Sequence, residues 1–242
     1  MPEPTNPTYS VPLINQIARF IFKPVFRGIF HLLARVRVTG QENVLKGQPY
    51  LVAINHISIF DPPFVLAFWP EMIEVMGAAD LWSRPGQAQL VKMYHGIPVH
   101  RGEYDRALFD KVLSVLAARK PLLLAPEGGR SHALGMRRAR PGVSFIVEKA
   151  RVPIIPVGVV GTTDDFFKKA IHAERRLLEL RIGKPFSLAA MDEDGGELVG
   201  QARRDARQRN ADLVMTHIAR LLPEEYRGYY SDSEVVDHQG EI

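Results

Sequence analysis

Cysteine is absent from the 242-residue chain. Its absence excludes a disulfide framework, a zinc–thiolate site, an iron–sulfur cluster and a cysteine nucleophile. Long apolar runs are also missing, because no uncharged N-terminal stretch approaches the ~20 apolar residues that a membrane-spanning helix needs. We expect no signal peptide, since charges interrupt the apolar residues. The hydrophobic share of 46% and the charged share of 24% predict an ordinary globular chain with one main domain.

Excess positive charge is missing from most of the chain. The formal net charge is +4, and residues 1–40 alone supply it through five basic residues and one acidic residue. The basic residues there are Arg19, Lys23, Arg27, Arg35 and Arg37. A nucleic-acid-binding domain usually spreads its basic surface across the fold. The neutral remainder therefore argues against nucleic acid as a partner.

The chain divides into four predicted segments. Residues 1–12 contain four prolines among polar residues and are predicted to form a flexible arm. Residues 13–37 are predicted to form amphipathic helices at a membrane surface, and residues 38–230 a single folded domain. Residues 231–242 are predicted to form an acidic tail, since they contain no lysine or arginine. The chemistry is expected in the folded domain.

On a helical wheel, residues 13–35 separate into a basic side and an apolar side. The basic side carries Arg19, Lys23, Arg27, His31 and Arg35, and the apolar side carries leucine, isoleucine and valine. Pro24 is predicted to kink or split the helix. Two interpretations are open. Either the basic side binds an anionic membrane surface, where each lysine or arginine contributes roughly 1 kcal/mol, or the apolar side packs on the domain.

Strands and helices alternate in the remainder of the chain. Short apolar runs predict strands at residues 50–55, 93–100, 122–125 and 152–160. Helical spacing predicts helices from residue 61 and over residues 105–119, 141–150 and 202–222. This alternation is typical of an α/β domain with a mixed, mostly parallel sheet covered by helices on both faces.

His56 and Asp61 flank a predicted turn between a strand and a helix. If the chain doubles back there, the carboxylate of Asp61 accepts a hydrogen bond from one imidazole nitrogen and leaves the other facing a crevice. Such a pair could remove a proton from a substrate hydroxyl. The alternative is that Asp61 only caps the helix and His56 only completes a turn. A metal site lacks a third ligand at useful spacing, and no nucleophile-elbow motif surrounds Ser58, for which a turn hydrogen bond is expected.

The segment from Glu127 to Arg130 follows another predicted strand. Its two glycines, Gly128 and Gly129, let the backbone approach a ligand closely. Arg130 can bind a phosphate through two parallel hydrogen bonds, and Arg101 can do the same from the end of a neighbouring strand. The alternative is that each arginine is a surface charge or an ion-pair partner of Glu127.

Four blocks of this sequence, taken together, resemble the glycerolipid acyltransferases. Residues 55–61 (NHISIFD) are similar to the N-H-x-S-x-x-D block of that family, and residues 96–102 (GIPVHRG) to its second block. Residues 126–131 (PEGGRS) are similar to the P-E-G-T-R-S block, and residues 152–157 (VPIIPV) to the fourth. The order and spacing of the blocks also match, over roughly residues 40–165. The 1-acylglycerol-3-phosphate acyltransferases are the best-known members.

The resemblance implies transfer of an acyl group from acyl-coenzyme A or acyl carrier protein to the hydroxyl of a lysophospholipid. It implies that His56 and Asp61 are catalytic, that no covalent enzyme intermediate forms, and that the protein needs no cofactor and no metal. The substrate-binding residues that it implies are Asn55, Ser58, Arg101, Glu127, Gly128, Gly129 and Arg130. The expected location is an anionic membrane surface at the cytoplasmic face.

Gly129 departs from the family pattern, which has threonine at this position. The missing hydroxyl leaves the acceptor open, so another glycerolipid or an amino lipid is an alternative to 1-acylglycerol-3-phosphate. A hydrolase that uses water as the acceptor is another alternative. A non-catalytic membrane-binding protein on the same scaffold is the alternative from a different class, and the presence of both His56 and Asp61 argues against it.

Overall fold

The computed structural model describes residues 9–100, 105–188 and 199–231 of the chain. The helices of these residues are α1 (Leu13–Leu33), α2 (Asp61–Phe68), α3 (Gln87–Met93), α4 (Arg106–Ala117), α5 (Gly142–Ala150), α6 (Phe166–Ile171), α7 (Gly200–Ala219) and α8 (Glu224–Arg227). The strands are β1 (Arg35–Thr39), β2 (Leu51–Ile54), β3 (Glu74–Ala78), β4 (Ile97–Val99), β5 (Leu122–Leu124), β6 (Ile154–Val160) and β7 (Leu177–Ile182). Short 3₁₀ helices lie at Gln41–Asn43, Ala79–Ser83 and Gly228–Tyr230.

The strands form one seven-stranded sheet in the order β1-β7-β6-β2-β5-β3-β4. Neighbouring strands run parallel except β6 and β7, which are antiparallel. Alternate residues of the central strand β2 enter different apolar clusters: Val52 and Ile54 pack with residues of α1 and α2, whereas Leu51 and Ala53 pack with residues of α4, α5 and α7. The predicted mixed, mostly parallel sheet with helices on both faces is therefore confirmed.

Four predicted strands correspond to β2, β4, β5 and β6, whereas the sequence analysis assigned no strand to β1, β3 or β7. The prediction that residues 13–37 are all helical is wrong at its end. Residues from Arg35 onward pair with β7 as an edge strand of the sheet. Their alternating exposure is typical of a strand with one buried face.

Helix α1 packs on the domain through its basic side, which neither interpretation of the sequence predicted. Arg19 is buried and makes two hydrogen bonds to the carboxylate of Glu74, at 2.7 and 2.6 Å. Lys23 and Arg27 donate to backbone carbonyl oxygens of Glu71 and Ala67. These contacts contradict the prediction that the three basic residues attract a membrane, because their charged groups are turned toward the protein.

The apolar side of α1 faces outward. Its exposed residues are Leu13, Ile14, Ile17, Phe20, Ile21, Val25, Ile29 and Leu32, with exposed fractions of 41–74%. The helix continues through Pro24, so the predicted split is wrong. Within the described part of the chain, no helix is long and apolar enough to cross a bilayer.

The predicted arm and tail fall mainly outside the described residues. Residues 1–8 of the arm and residues 232–242 of the tail are not among them. Tyr9, near the end of the arm, is held in place because its hydroxyl donates to Glu74 at 2.6 Å.

Candidate active site

His56 follows the central strand β2 directly, and Asp61 opens α2. The turn between them brings Nδ1 of His56 to 2.8 Å from Oδ2 of Asp61, which confirms the predicted hydrogen bond. The alternative interpretation, in which Asp61 caps the helix, is wrong, because the N-cap residue is Phe60. Asp61 is the first residue of α2, and its carboxylate turns back to accept hydrogen bonds from the backbone N–H groups of Ile57 and Ser58, at 2.7 and 2.8 Å.

The carboxylate of Asp61 is fully buried and surrounded by hydrogen-bond donors. Oδ2 accepts from His56 and from the two backbone amides, whereas Oδ1 accepts from the hydroxyl of Thr162 and, at 3.3 Å, from that of Ser58. Hydrogen bonds of this kind compensate a buried carboxylate for its lost hydration. The contact between Oδ2 and Nδ1 favours the imidazole tautomer with its proton on Nδ1.

The ring of His56 opens onto a large cavity. Its side chain is 16% exposed and lines a cavity of about 650 Å³. Asp61 engages Nδ1, and no described residue makes a hydrogen bond to Nε2. As far as the described residues go, this nitrogen can therefore accept a proton from a bound molecule.

Asn55 and Ser58, for which the resemblance implies substrate binding, do not belong to the wall of this cavity. Both are fully buried. The amide of Asn55 donates to the carbonyl of Val159 at 2.9 Å and accepts from the N–H of the same residue at 2.7 Å, which ties the end of β2 to β6. The hydroxyl of Ser58 accepts from the N–H of Phe60 at 3.1 Å, as expected of a turn residue.

Glu127, another residue for which the resemblance implies substrate binding, is also buried, and its carboxylate contacts two backbone N–H groups. Its Oε1 accepts from the N–H of His56 at 2.7 Å, and its Oε2 accepts from the N–H of Arg137 at 2.8 Å. Burial raises the pKa of Glu127 to about 7, although these two hydrogen bonds act in the opposite direction. Glu127 therefore positions the backbone of His56 from the neighbouring strand exit.

The residues after Glu127 do line the cavity. Gly128, Gly129 and Arg130 all belong to its wall. Gly128 has a φ of +69°, and a Cβ atom there would lie 2.6 Å from Cδ of Arg140, so this position favours glycine. The guanidinium of Arg130 lies 3.5 Å from the carboxylate of Asp164 and is not paired with Glu127. Arg101 lies outside the described residues.

The cavity wall combines an apolar surface with cationic groups. Its apolar members include Phe22, Leu66, Leu81, Trp82, Leu90, Leu108 and Ile146. Arg137 and Arg140 line it together with Arg130, and all three come from the segment between β5 and α5. Sequence reasoning missed Arg137, Arg140 and Thr162, although Arg137 and Arg140 belong to a visibly basic run. Among the described residues, no three histidine, aspartate or glutamate side chains could hold a metal ion.

Comparison with known proteins agrees with the four sequence blocks. The model of the acyltransferase family matches residues 35–160, more than half of the chain. The 1-acyl-sn-glycerol-3-phosphate acyltransferase alpha of Mus musculus is 29% identical over 174 residues, which are 66% of this chain and 58% of the relative. The 1-acyl-sn-glycerol-3-phosphate acyltransferase of Saccharomyces cerevisiae is 27% identical over 197 residues, which are 78% of this chain and 65% of the relative.

A solved structure supports the fold. The crystal structure of the 1-acyl-sn-glycerophosphate (LPA) acyltransferase PlsC from Thermotoga maritima matches with a TM-score of 0.57 at 20% identity, covering 83% of this chain and 80% of that one. The chain spans less than two thirds of the length of both curated relatives named above. The match of the family model, together with this fold, shows that the chain belongs to the acyltransferase family.

Proposed function

We propose that the protein transfers an acyl group from a thioester, acyl-coenzyme A or acyl carrier protein, to the hydroxyl of a lysophospholipid. The acceptor that fits best is 1-acyl-sn-glycerol-3-phosphate, which would give phosphatidic acid. One observation carries the proposal: the ring of His56, oriented by buried Asp61, opens into an apolar cavity of about 650 Å³ whose wall also holds arginines. This volume lies in the range of small-molecule binding sites.

The proposed reaction requires a base that removes the proton of the acceptor hydroxyl. Nε2 of His56 takes the proton of the acceptor hydroxyl as its oxygen attacks the thioester carbonyl carbon. When the tetrahedral intermediate collapses, the carbon–sulfur bond breaks and the thiolate leaves with the proton from Nε2. Asp61 holds the ring and stabilises the imidazolium in between. General acid–base catalysis of this kind raises the rate about 10²–10⁴-fold, which lowers the activation free energy by roughly 3–5 kcal/mol.

Direct transfer fits the surroundings of His56 better than a covalent acyl-enzyme. A serine nucleophile must lie within hydrogen-bond reach of its base and open to substrate. Ser58, the nearest serine in sequence, is buried, and its hydroxyl is committed to Asp61 and to the N–H of Phe60. A thioester is already an activated donor, so a second nucleophile is not needed.

The arginines of the cavity wall would bind the phosphate at the polar end of the acceptor. Arg130 lines the cavity, and its pairing with Asp164 at 3.5 Å is loose enough to exchange for a phosphate. The apolar wall would accommodate the acyl chains. The family pattern has threonine at the position of Gly129. Because this hydroxyl is missing here, another glycerolipid or an amino lipid is the second candidate acceptor.

The proposed membrane contact is made by the outer, apolar side of α1, whereas the sequence predicted a contact through the basic side. The contact would be apolar, since Arg19, Lys23 and Arg27 are turned toward the protein. Helix α6 contacts α1 and carries two further exposed apolar side chains, Phe167 and Ile171. Burying each half-exposed side chain in lipid contributes about 1 kcal/mol.

The same helix also reaches the cavity. Phe22 of α1 lines the cavity wall, while the outer side of the helix remains exposed. An enzyme that rests on lipid through α1 would thus hold its cavity close to the membrane that contains both the acceptor and the product.

The test is an acceptor panel read by mass spectrometry of the lipids and by thiol release. Acyl-coenzyme A is supplied with 1-acyl-sn-glycerol-3-phosphate, glycerol-3-phosphate, neutral lysolipids and an amino lipid. We expect phosphatidic acid as the main product and little thiol release without acceptor. Thiol release that is equally fast without acceptor would instead identify a thioesterase, and a different main product would reassign the acceptor.

A further inference from the structure

Thr162 lies near His56 although it belongs to none of the four sequence blocks. It follows β6 by two residues, is fully buried, and donates its hydroxyl to Oδ1 of Asp61. The hydroxyl is thus directed at a carboxylate that contacts the ring of His56.

The two oxygens of Asp61 are divided between different partners. Oδ2 already receives three N–H donors, namely His56 Nδ1 and the amides of Ile57 and Ser58. Oδ1 receives the hydroxyls of Thr162 and Ser58, and Ser58 lies at 3.3 Å, a weak contact. Without Thr162, Oδ1 would keep only that weak contact in a buried position, and rotation of the carboxylate would cost less.

The position of Thr162 is itself fixed by the fold. The preceding residue, Gly161, has a φ of +92°, and a Cβ atom there would lie 2.3 Å from the carbonyl oxygen of Leu177. The N–H of Gly161 donates to the hydroxyl of Tyr226 at 3.1 Å. Asn55 ties the end of β2 to Val159, so the chain segments that carry His56 and Thr162 are held side by side.

We propose that Thr162 is a positioning residue for the His56–Asp61 pair, holding Oδ1 of Asp61 so that Oδ2 stays directed at Nδ1 of His56. The inference rests on the proposed function, because it assigns to Thr162 a part in keeping Nε2 of His56 ready to accept the proton. Thr162 itself does not touch substrate. Its effect is on the rate of the chemical step and not on the affinity for either substrate.

The experiment compares variants that remove or keep the hydroxyl. Thr162→Val keeps the shape and removes the donor, whereas Thr162→Ser keeps the donor. The matched control is Thr163→Val, since the hydroxyl of Thr163 bonds to Asp165 and not to the pair. Steady-state kcat and KM are measured for acyl-coenzyme A and for the acceptor, with rates normalised to the folded fraction from circular dichroism. Thr162→Ala is a second hydroxyl-free variant in case the valine does not fold.

We expect kcat of Thr162→Val to fall roughly tenfold to hundredfold, the effect of losing a hydrogen bond to a charged group. Both KM values should stay within about twofold, and Thr162→Ser should recover most of the rate. Wild-type kcat in the hydroxyl-free variants, a loss confined to KM, or a serine variant as slow as valine would each overturn the inference. His56→Gln is measured alongside to separate the two claims. If His56→Gln stays active, the proposed role of His56 as the base is wrong, whatever the Thr162 variants show.

Discussion

Replacing Glu74 by glutamine tests how α1 is held on the domain. The carboxylate of Glu74 is 2% exposed and accepts two hydrogen bonds from Arg19 and one from Tyr9. Arg19 is 3% exposed and also donates to the carbonyl of Tyr94 at 2.8 Å. Glutamine keeps the shape but leaves the guanidinium buried without a counter-charge. Breaking a buried pair in this way costs about 3–5 kcal/mol.

The assay is urea and thermal unfolding followed by circular dichroism. At roughly 2–4 °C per kcal/mol for a domain of this size, Tm should fall by roughly 6–20 °C. The matched control is Arg37→Met, because the side chain of Arg37 is 63% exposed and its partner Glu179 keeps a second contact with Arg181. Because Arg37 itself is exposed to water and the buried carboxylate of Glu179 keeps Arg181 as its partner, the loss should stay within about 1 kcal/mol.

The double variant Arg19→Met, Glu74→Leu separates the charge from the packing. Replacing both partners by apolar side chains of similar volume removes the uncompensated charge. It should therefore be more stable than Glu74→Gln. A loss of less than about 1 kcal/mol in Glu74→Gln would refute the reasoning, since it would mean that the pair is exposed to water and that α1 is held mainly by its phenylalanines.

Three further predictions concern α1, Glu127 and the glycine turn. Replacing both Phe20 and Leu32, each 74% exposed, by serine should lower partitioning onto phospholipid vesicles at least about tenfold in a sedimentation assay, and unchanged pelleting would exclude the outer side of α1. Because burial raises the pKa of Glu127 to about 7, the native state binds a proton there more tightly than the unfolded chain and loses that stabilisation as pH rises. The unfolding free energy of wild type minus that of Glu127→Gln should thus fall between pH 5 and about 7, and a constant difference would contradict the burial. Gly128→Ala should lose about 1–2 kcal/mol in urea unfolding because of its positive φ, whereas Gly142→Ala, which has open space and an ordinary φ, should not; equal effects would refute the strain.

The centre of the fold could be predicted from the sequence because its signals are local. The β2 and β6 strands are short, nearly continuous apolar runs, as expected of strands buried on both faces. The edge strand β1 alternates arginine and valine, a pattern that by itself indicates a strand. It is only five residues long and follows α1 after a single residue, so the helical interpretation of residues 13–37 runs over it.

The orientation of α1 depends on a residue far away in the sequence. A helical wheel separates a basic side from an apolar side, but it does not say which side meets the protein. The deciding contact joins Arg19 to Glu74, 55 positions later. A burial preference based on residue type alone predicts the reverse arrangement.

In the candidate site, too, some features depend on local sequence and others on the sheet order. The spacing of His56 and Asp61 was enough to predict their contact, because only the turn between them is involved. The roles of Asn55, Glu127 and Thr162 depend on which strands are neighbours, and that follows from the sheet order rather than from any motif. In the structure, Asn55 and Glu127 both hold the backbone around the histidine, which no spacing in their motifs predicts.

The most direct test of the central claim is the rate of acceptor-dependent thiol release by His56→Gln at saturating acyl-coenzyme A and lysophosphatidic acid. His172→Gln is the matched control, since His172 is exposed and its Nδ1 bonds to the carbonyl of Lys168, a residue of the helix that it follows. The account predicts that kcat of His56→Gln falls by about 10²–10⁴ with an unchanged unfolding temperature, while His172→Gln keeps the wild-type rate. A folded His56→Gln protein within tenfold of the wild-type rate would contradict the claim that this imidazole is the base.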